Sequence, residues 1–167
     1  MSDPTPRSRS ILEFSVILVV IGVAAAFFLD GLYYVQEQAE RTVMEATVRN
    51  MNSGVKMEAA MRSIRGQEAS IGGLVGANPV QWLENPPIGY SGTCQQELVP
   101  GGWCFDTASR EIVYRPRIDR RLRYLEPERP GLRWRVGSVA EMAGRREGLP
   151  PSAGAIRVLS TTSFVWQ

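Results

Sequence analysis

The chain opens with a hydrophobic run that leads into a long segment of helical periodicity. Residues 11–30 read ILEFSVILVVIGVAAAFFLD, in which Glu13 is the single charge before Asp30. About twenty mainly apolar residues, wound into a helix, cross the ~30 Å hydrocarbon core of a bilayer. We therefore predict a transmembrane helix over 11–30, preceded by a short polar leader over 1–10.

The segment after the hydrophobic run is rich in helix formers and contains no proline before Pro79. We expect the helix to continue unbroken through 31–66 and to stop at Gly66. Gly54, inside it, is expected to weaken the helix by about 1 kcal/mol relative to alanine. Apolar residues recur at helical spacing and predict one face that covers a core. That face comprises Met44, Val48, Met51, Val55 and Ala59, widened by Ala39, Val43, Met57, Ala60 and Ile64.

Residues 67–102 are rich in Gly, Pro, Asn and Ser, which indicates a long connecting segment. One helical turn is expected just after Pro79. The part of the chain that follows the membrane segment is expected to form a globular domain, here called the head. The aromatic and aliphatic side chains of Trp82, Leu83 and Tyr90 are expected to hold the connecting segment against it.

Residues 103–167 contain short runs of β-favouring residues between turn signals, which predict an antiparallel sheet. In LRWRV, Leu132, Trp134 and Val136 point to one face, whereas Arg133 and Arg135 point to the other. The predicted fold class is therefore α+β. A long N-terminal helix, membrane-spanning in its first half, packs on a small antiparallel sheet.

Charge and composition narrow the functional classes. Arg7 and Arg9 precede the apolar run and acidic residues follow it, so the positive-inside rule puts the N-terminus in the cytoplasm and the head in the periplasm. Histidine is absent, which removes the commonest general base and the commonest ligand of catalytic zinc. We predict no catalytic residue, no metal site and no cofactor.

Arginines cluster between Arg110 and Arg135. Such a cluster suits DNA or an anionic glycan, but it also suits solvated strand faces that form salt bridges with nearby acids. Because the formal net charge of the chain is only +2, we expect the second case and no nucleic-acid partner. The acids expected to pair are Glu111, Asp119, Glu126 and Glu128.

The two cysteines, Cys94 and Cys104, lie ten residues apart in the part of the chain predicted to be outside the cytoplasm. Disulfides persist in that compartment, so we expect the two to be bonded. A loop this short would contribute roughly 2–3 kcal/mol by restricting the unfolded chain. Two free buried thiols and a metal-binding pair are the alternatives.

An acidic side chain near the start of a membrane helix needs a partner. An ionised carboxylate in the bilayer costs at least ~2.5 kcal/mol. Arg9 lies four residues before Glu13, on the same helical face, and can pair with it inside the chain. Alternatively, Glu13 reaches the cytoplasmic interface. Gly22 and the alanines after it either let another helix approach closely or face lipid.

The opening of the chain resembles that of type IV pilins and type II secretion pseudopilins. Ser10, Ile11, Leu12 and Glu13 match the start of the family's helix, and Gly22 follows Glu13 by the family's nine residues. The stretches NPVQWLENPPIGYSG and GGWCFDTASREIVYRPR are similar to segments of minor, MSHA-type and general-secretion-type pseudopilins. The resemblance implies that Glu13 answers the N-terminal amine of a neighbouring subunit.

The same resemblance implies the function and the partners. We expect a structural subunit of a type IV pilus or a type II secretion pseudopilus, in contact with other pilin subunits, an inner-membrane assembly platform and membrane lipid. The family's peptidase cuts after a glycine and before a phenylalanine. Ser8 and Arg9 stand there in this chain, so the resemblance does not carry leader cleavage over. The alternatives are a single-pass, membrane-tethered periplasmic binding module and a secreted enzyme with a cleaved signal.

Overall fold

One long helix runs through the N-terminal part of the chain. The computed structural model describes residues 6–95, 97–125, 131–139 and 152–166, with the side chains of the first helix from Glu13 onward. This helix, α1, spans Pro6–Ile64 and therefore begins inside the segment predicted as a leader. Proline suits a first helical turn because its missing N–H would have no partner there. The chain divides into two compact units, Met1–Ala39 and Glu40–Gln167.

The C-terminal end of α1 is set by a glycine, as the sequence predicts. Gly66 has φ +69°, a left-handed conformation that glycine adopts without steric cost. Its N–H donates to the carbonyl of Ser63 at 3.0 Å, and the N–H of Gln67 donates to the carbonyl of Arg62 at 2.8 Å. This pair of bonds is a Schellman motif, which satisfies carbonyls at the end of the helix.

After α1, the described residues of the second unit contain three short helices and seven strands. The 3₁₀ helices are Glu68–Leu74, Pro79–Trp82 and Ala153–Ala155. Pro79–Trp82 is the predicted turn, and the Asn78 side chain caps it by accepting from the N–H of Val80 at 3.1 Å. The strands are β1 Tyr90–Thr93, β2 Trp103–Asp106, β3 Glu111–Tyr114, β4 Leu122–Tyr124, β5 Leu132–Ser138, β6 Ile156–Ser160 and β7 Phe164–Trp166.

The strands form a five-stranded sheet of order β1-β2-β3-β5-β6 and a two-stranded sheet of β4 and β7. The predicted α+β class is confirmed, and each run predicted as a strand contains one. The sheet is mixed, however, because β1 pairs in parallel with β2. Strand β1 lies in the predicted connecting segment, because its four residues, YSGT, lack the hydrophobic alternation that predicts a strand.

The core of the second unit lies between α1 and one face of the larger sheet. Alternation in β5 buries Leu132, Trp134 and Val136, as predicted. Trp103 lies 4.4 Å from Tyr114 and 5.7 Å from Trp134 between ring centroids, so the aromatic rings form one cluster. The predicted helix stripe covers this face: Met44, Met51, Val55 and Ala59 are buried, and Val48 packs at their margin.

The predicted widening of that stripe is wrong. Val43, Met57 and Ile64 are 65%, 70% and 80% exposed, and Ala39 and Ala60 are exposed too. The two to three rows of buried helix residues are enough to cover the one apolar face of the sheet. The residues that would widen the stripe therefore stay exposed to solvent. Trp82, Leu83 and Tyr90 do pack against the core, as expected for the connecting segment.

Polar contacts fix the first residues of the second unit to the sheet. The carboxylate of Glu40 accepts from the Tyr114 hydroxyl at 2.7 Å and from the N–H groups of Arg117 and Ile118 at 2.6 and 3.1 Å. Burial and the hydrogen bond to Glu40 both raise the pKa of Tyr114, so its hydroxyl stays a donor at neutral pH. Arg41, the residue after Glu40 in α1, donates to the carbonyl of Trp166 at 2.8 Å.

Gly54 allows a close approach that a side chain would block. A Cβ at this position would lie 2.7 Å from the carbonyl oxygen of Trp82, whereas real Cβ atoms do not come nearer than about 3 Å. The glycine therefore serves the contact between α1 and the 3₁₀ helix Pro79–Trp82. The contact with Trp82 explains why a glycine stands here in spite of its low helix propensity.

We expect Gly54→Ala to destabilise the head by about 1–3 kcal/mol, because overpacking at Trp82 outweighs the ~1 kcal/mol gain in helix propensity. Thermal unfolding of the full chain in detergent, followed by near-ultraviolet circular dichroism of the tryptophans, measures the effect. Ser53→Ala is the matched control, since Ser53 is exposed on the same turn. An unchanged or raised melting temperature for Gly54→Ala would contradict the packing role.

We expect Glu40→Ala to lower the free energy of unfolding by about 2 kcal/mol, because two N–H groups and one hydroxyl lose their acceptor. Urea denaturation in detergent measures it. The control is Glu45→Ala: Glu45 pairs with Arg41 at 2.9 Å and with Arg49 at 3.6 Å on the helix surface. Such surface pairs contribute about 0–1 kcal/mol. Equal losses in the two variants would show that Glu40 is only another surface acid.

Candidate functional site

The first unit is a helix whose apolar side chains have no protein around them. Every large apolar side chain between Phe14 and Val35 is exposed. Within the described residues, α1 is the one helix that is long and apolar enough to cross a membrane. In water, so large a contiguous apolar surface marks a site for lipid or for another protein.

The predicted assembly residues lie at the start of this helix. Glu13 is exposed, two to three turns before Gly22. A Cβ built at Gly22 meets nothing within 4 Å, so the helix backbone is accessible from that side. Arg9 belongs to the helical backbone of α1, but its side chain, and with it the predicted pair with Glu13, lies outside the described residues.

The predicted disulfide between Cys94 and Cys104 is present. It ties the residue after β1 to the second residue of β2. A parallel pair normally needs a crossover of a dozen or more residues, whereas only residues 94–102 connect these two strands. The disulfide and the hydrogen bond from the Cys94 N–H to the Phe105 carbonyl, 3.0 Å, hold the two strands together.

A cleft of about 420 Å³ opens on the sheet face that points away from α1. Its apolar lining comprises the disulfide, Leu98, Val113 and Pro116. Charged side chains also line it, among them Asp106, Arg115, Asp119 and Arg133. A cleft of this size, lined by apolar groups and a few polar ones, suits a small ligand or a side chain of another protein.

An ion network organises the charged wall. Arg133 lies 3.2 Å from a carboxylate oxygen of Asp106 and 3.3 Å from one of Glu111, and Glu111 is buried. The expected salt bridge to Glu111 is thus present. The register explains the meeting, because Asp106 lies opposite Glu111 and Val113 lies opposite Arg133 across the ladder.

Asp106 also shapes the turn between β2 and β3. Its carboxylate accepts from the N–H groups of Ala108 and Ser109 at 3.0 and 3.4 Å and from the Ser109 hydroxyl at 2.8 Å. Burial alone would raise the pKa of Asp106, but the hydrogen bonds from Ser109, Ala108 and Arg133 outweigh it and lower that pKa. Asp106 therefore stays ionised and cannot act as an acid near neutral pH.

Tyr124 is a further polar group of the cleft. Burial and the charge of Asp119 raise the pKa of Tyr124, so its hydroxyl stays protonated. The Nε atoms of Arg133 and Arg135 are buried and have no hydrogen-bond partner within the described residues. No group of three or more metal-ligating side chains converges in that part of the chain.

Comparison with known proteins found no match: no protein-family model, no curated protein and no solved structure is similar to this chain.

We expect Asp106→Asn to lower the free energy of unfolding by about 1–2 kcal/mol at neutral pH, because a charged acceptor of several hydrogen bonds is lost. The pKa of Asp106 is lower in the folded state, so its contribution is complete above the ordinary carboxyl pKa of about 4. That contribution disappears as the pH falls through the lowered value. Urea denaturation at a series of pH values measures the difference between variant and wild type.

The control for this variant is Glu84→Gln, an exposed acid in the connecting segment. Its difference from wild type should stay near zero throughout. A wild-type advantage over Asp106→Asn that grows as the solution is acidified would contradict the assigned pKa direction.

Proposed function

We propose that this chain is a pilin-like structural subunit of a type IV pilus or a type II secretion pseudopilus. Its N-terminal helix sits in the inner membrane and its head lies in the periplasm. The observation that carries the proposal is the single helix α1, which has exposed apolar side chains from Phe14 to Val35 and then contributes the buried stripe of the head. Such a helix supplies both a membrane-spanning segment and part of the core of the head.

The start of α1 supports assembly over simple anchoring. Glu13 is an exposed carboxylate near the start of the apolar run. An ionised group inside a bilayer needs a compensating charge. A cation at the N-terminus of a neighbouring subunit supplies it. Gly22, open to approach on its side of the helix, permits close packing of a second helix, since small residues favour association in lipid.

Residues 10–13 and Gly22 resemble the opening of the family's helix. This resemblance supports a pilin-type filament as the specific type of assembly. Ser8 and Arg9 depart from the family's cleavage site, so the proposal does not require removal of the leader. In the uncut chain the spacing of four residues between Arg9 and Glu13 suits an intramolecular pair. Such a pair would keep the charge neutral until a subunit joins the assembly.

A membrane-tethered binding module that never enters a filament is the second candidate. The cleft beside the disulfide favours it, because its volume of about 420 Å³ suits a ligand. In this case α1 only holds the head at the membrane, and its apolar side chains contact lipid alone.

Cross-linking from the helix distinguishes the two. We expect Ala25→Cys, cross-linked in native membranes, to capture a protein whose own N-terminal helix is apolar and carries a glutamate near its start. Glu13→Gln in this background should lower the yield about tenfold, which corresponds to ~1.4 kcal/mol. Mass spectrometry of the adduct identifies the partner and quantifies the yield.

Ser53→Cys, on the exposed part of α1 in the head, is the matched cysteine control, and Glu68→Gln is the matched charge control. Adducts of Ala25→Cys with lipid alone would favour the tethered binding module. Intact mass of the membrane-bound protein is measured in parallel. A species that has lost the residues before Asp30 would rule out both candidates and indicate a cleaved signal.

A further inference from the structure

The strongest positive charge on the chain is concentrated in one short segment. Residues 115–124, here called the basic segment, contain five arginines and one aspartate, a formal charge of +4. The whole chain carries only +2, so the remainder is net negative. Arg117, Arg120 and Arg123 are exposed. Arg115 donates to the carboxylate of Glu97 and to the Leu98 carbonyl, both at 2.7 Å.

The basic segment is fixed to the first residues of the second unit at both of its ends. Glu40 accepts from the N–H groups of Arg117 and Ile118. At the other end, β4 pairs with β7, and the carbonyl of Trp166 in β7 accepts from Arg41. Two adjacent helix residues, Glu40 and Arg41, therefore determine where the arginines lie.

Only a short length of chain connects those two residues to the end of the apolar run. Glu40 follows Leu29 by eleven residues, all of them within α1. A tether this short gives the basic segment a local concentration, relative to any surface at the end of the run, in the millimolar range. DNA or a soluble glycan has no such advantage.

The surface around the arginines suits an interface between water and lipid. Arg123 lies opposite Val165 in the β4–β7 ladder, and Val165 and Leu125 are exposed apolar side chains. Arginine binds phosphate oxygens through two parallel hydrogen bonds, and its aliphatic stem can lie on apolar surface. The acids Glu126 and Glu128 follow in the sequence and lie outside the described residues.

We propose that Arg117, Arg120 and Arg123 bind the phosphates of anionic phospholipid headgroups and dock the head on the membrane that α1 crosses. The inference rests on the membrane anchoring in the proposed function, but it does not depend on filament assembly. Each arginine adds about a factor of five to the binding of the head, and the attraction falls with salt.

The test uses the full chain, one copy per lipid nanodisc, with phosphatidylcholine alone or mixed with phosphatidylglycerol. Hydrogen exchange of the peptide that covers residues 115–124 is the readout. We expect exchange several-fold slower on the phosphatidylglycerol discs at low salt, and a return to the phosphatidylcholine rate at high salt. The triple variant Arg117→Gln, Arg120→Gln, Arg123→Gln should exchange at the phosphatidylcholine rate on both kinds of disc.

The matched control removes the same charge elsewhere, by Arg49→Gln, Arg65→Gln and Arg157→Gln, all at exposed positions. It should keep the protection. Equal exchange of the wild type on the two lipids, protection that high salt leaves unchanged, or equal loss in both triple variants would each overturn the inference. Protection that appears only when an anionic oligonucleotide is added would overturn it in favour of nucleic acid.

Incorporation into the discs is scored separately by size-exclusion chromatography. A chain that stays outside the discs would contradict the proposed membrane anchoring. A chain that enters the discs but shows no lipid-dependent protection would contradict headgroup docking alone. The comparisons of lipid and salt use the wild type, so the inference is testable even where a variant folds poorly.

Discussion

The head depends on one stripe of α1 for its core. The seven strands form sheets with one apolar face, and such a face must be buried against another layer. Met44, Met51, Val55 and Ala59 provide this layer, and Gly54 lets the connecting segment close over its flank. Glu40 and Arg41 then fix the loops and β7 to the same helix by hydrogen bonds. Each other feature of the head, the cleft and the basic segment included, takes its position from this helix.

Much of this architecture is predictable from local pattern. Alternation in LRWRV predicts which side chains of β5 face the core, and Gly66 predicts the helix end, because each signal acts within a few residues. What the sequence could not give depends on distant contacts. The need for Gly54 comes from Trp82, and the exposure of Val43, Met57 and Ile64 follows from how narrow a face the sheet presents.

The candidate site shows the same division. The pairing of Cys94 with Cys104 was predictable because the chain has two cysteines and its charge pattern predicts a compartment that favours the bond. The network of Asp106, Glu111 and Arg133 was predictable only for Glu111, since strand register decides which charges meet on one face. Strand β1 was missed because YSGT carries no apolar alternation and pairs in parallel across a connection of unusual shortness.

Asn52 has a further consequence. Its side-chain oxygen accepts from the N–H of Val158 at 3.0 Å, and β6 is the terminal strand of its sheet among the described strands. An open strand at such a border is a template for pairing with another chain, which is how fibrous aggregates grow. Because the Asn52 side chain already binds the N–H group of Val158, a strand of another molecule cannot pair with that donor. This discourages growth of the sheet from molecule to molecule. Any specific contact at this side of the molecule would then depend on side chains rather than on backbone pairing.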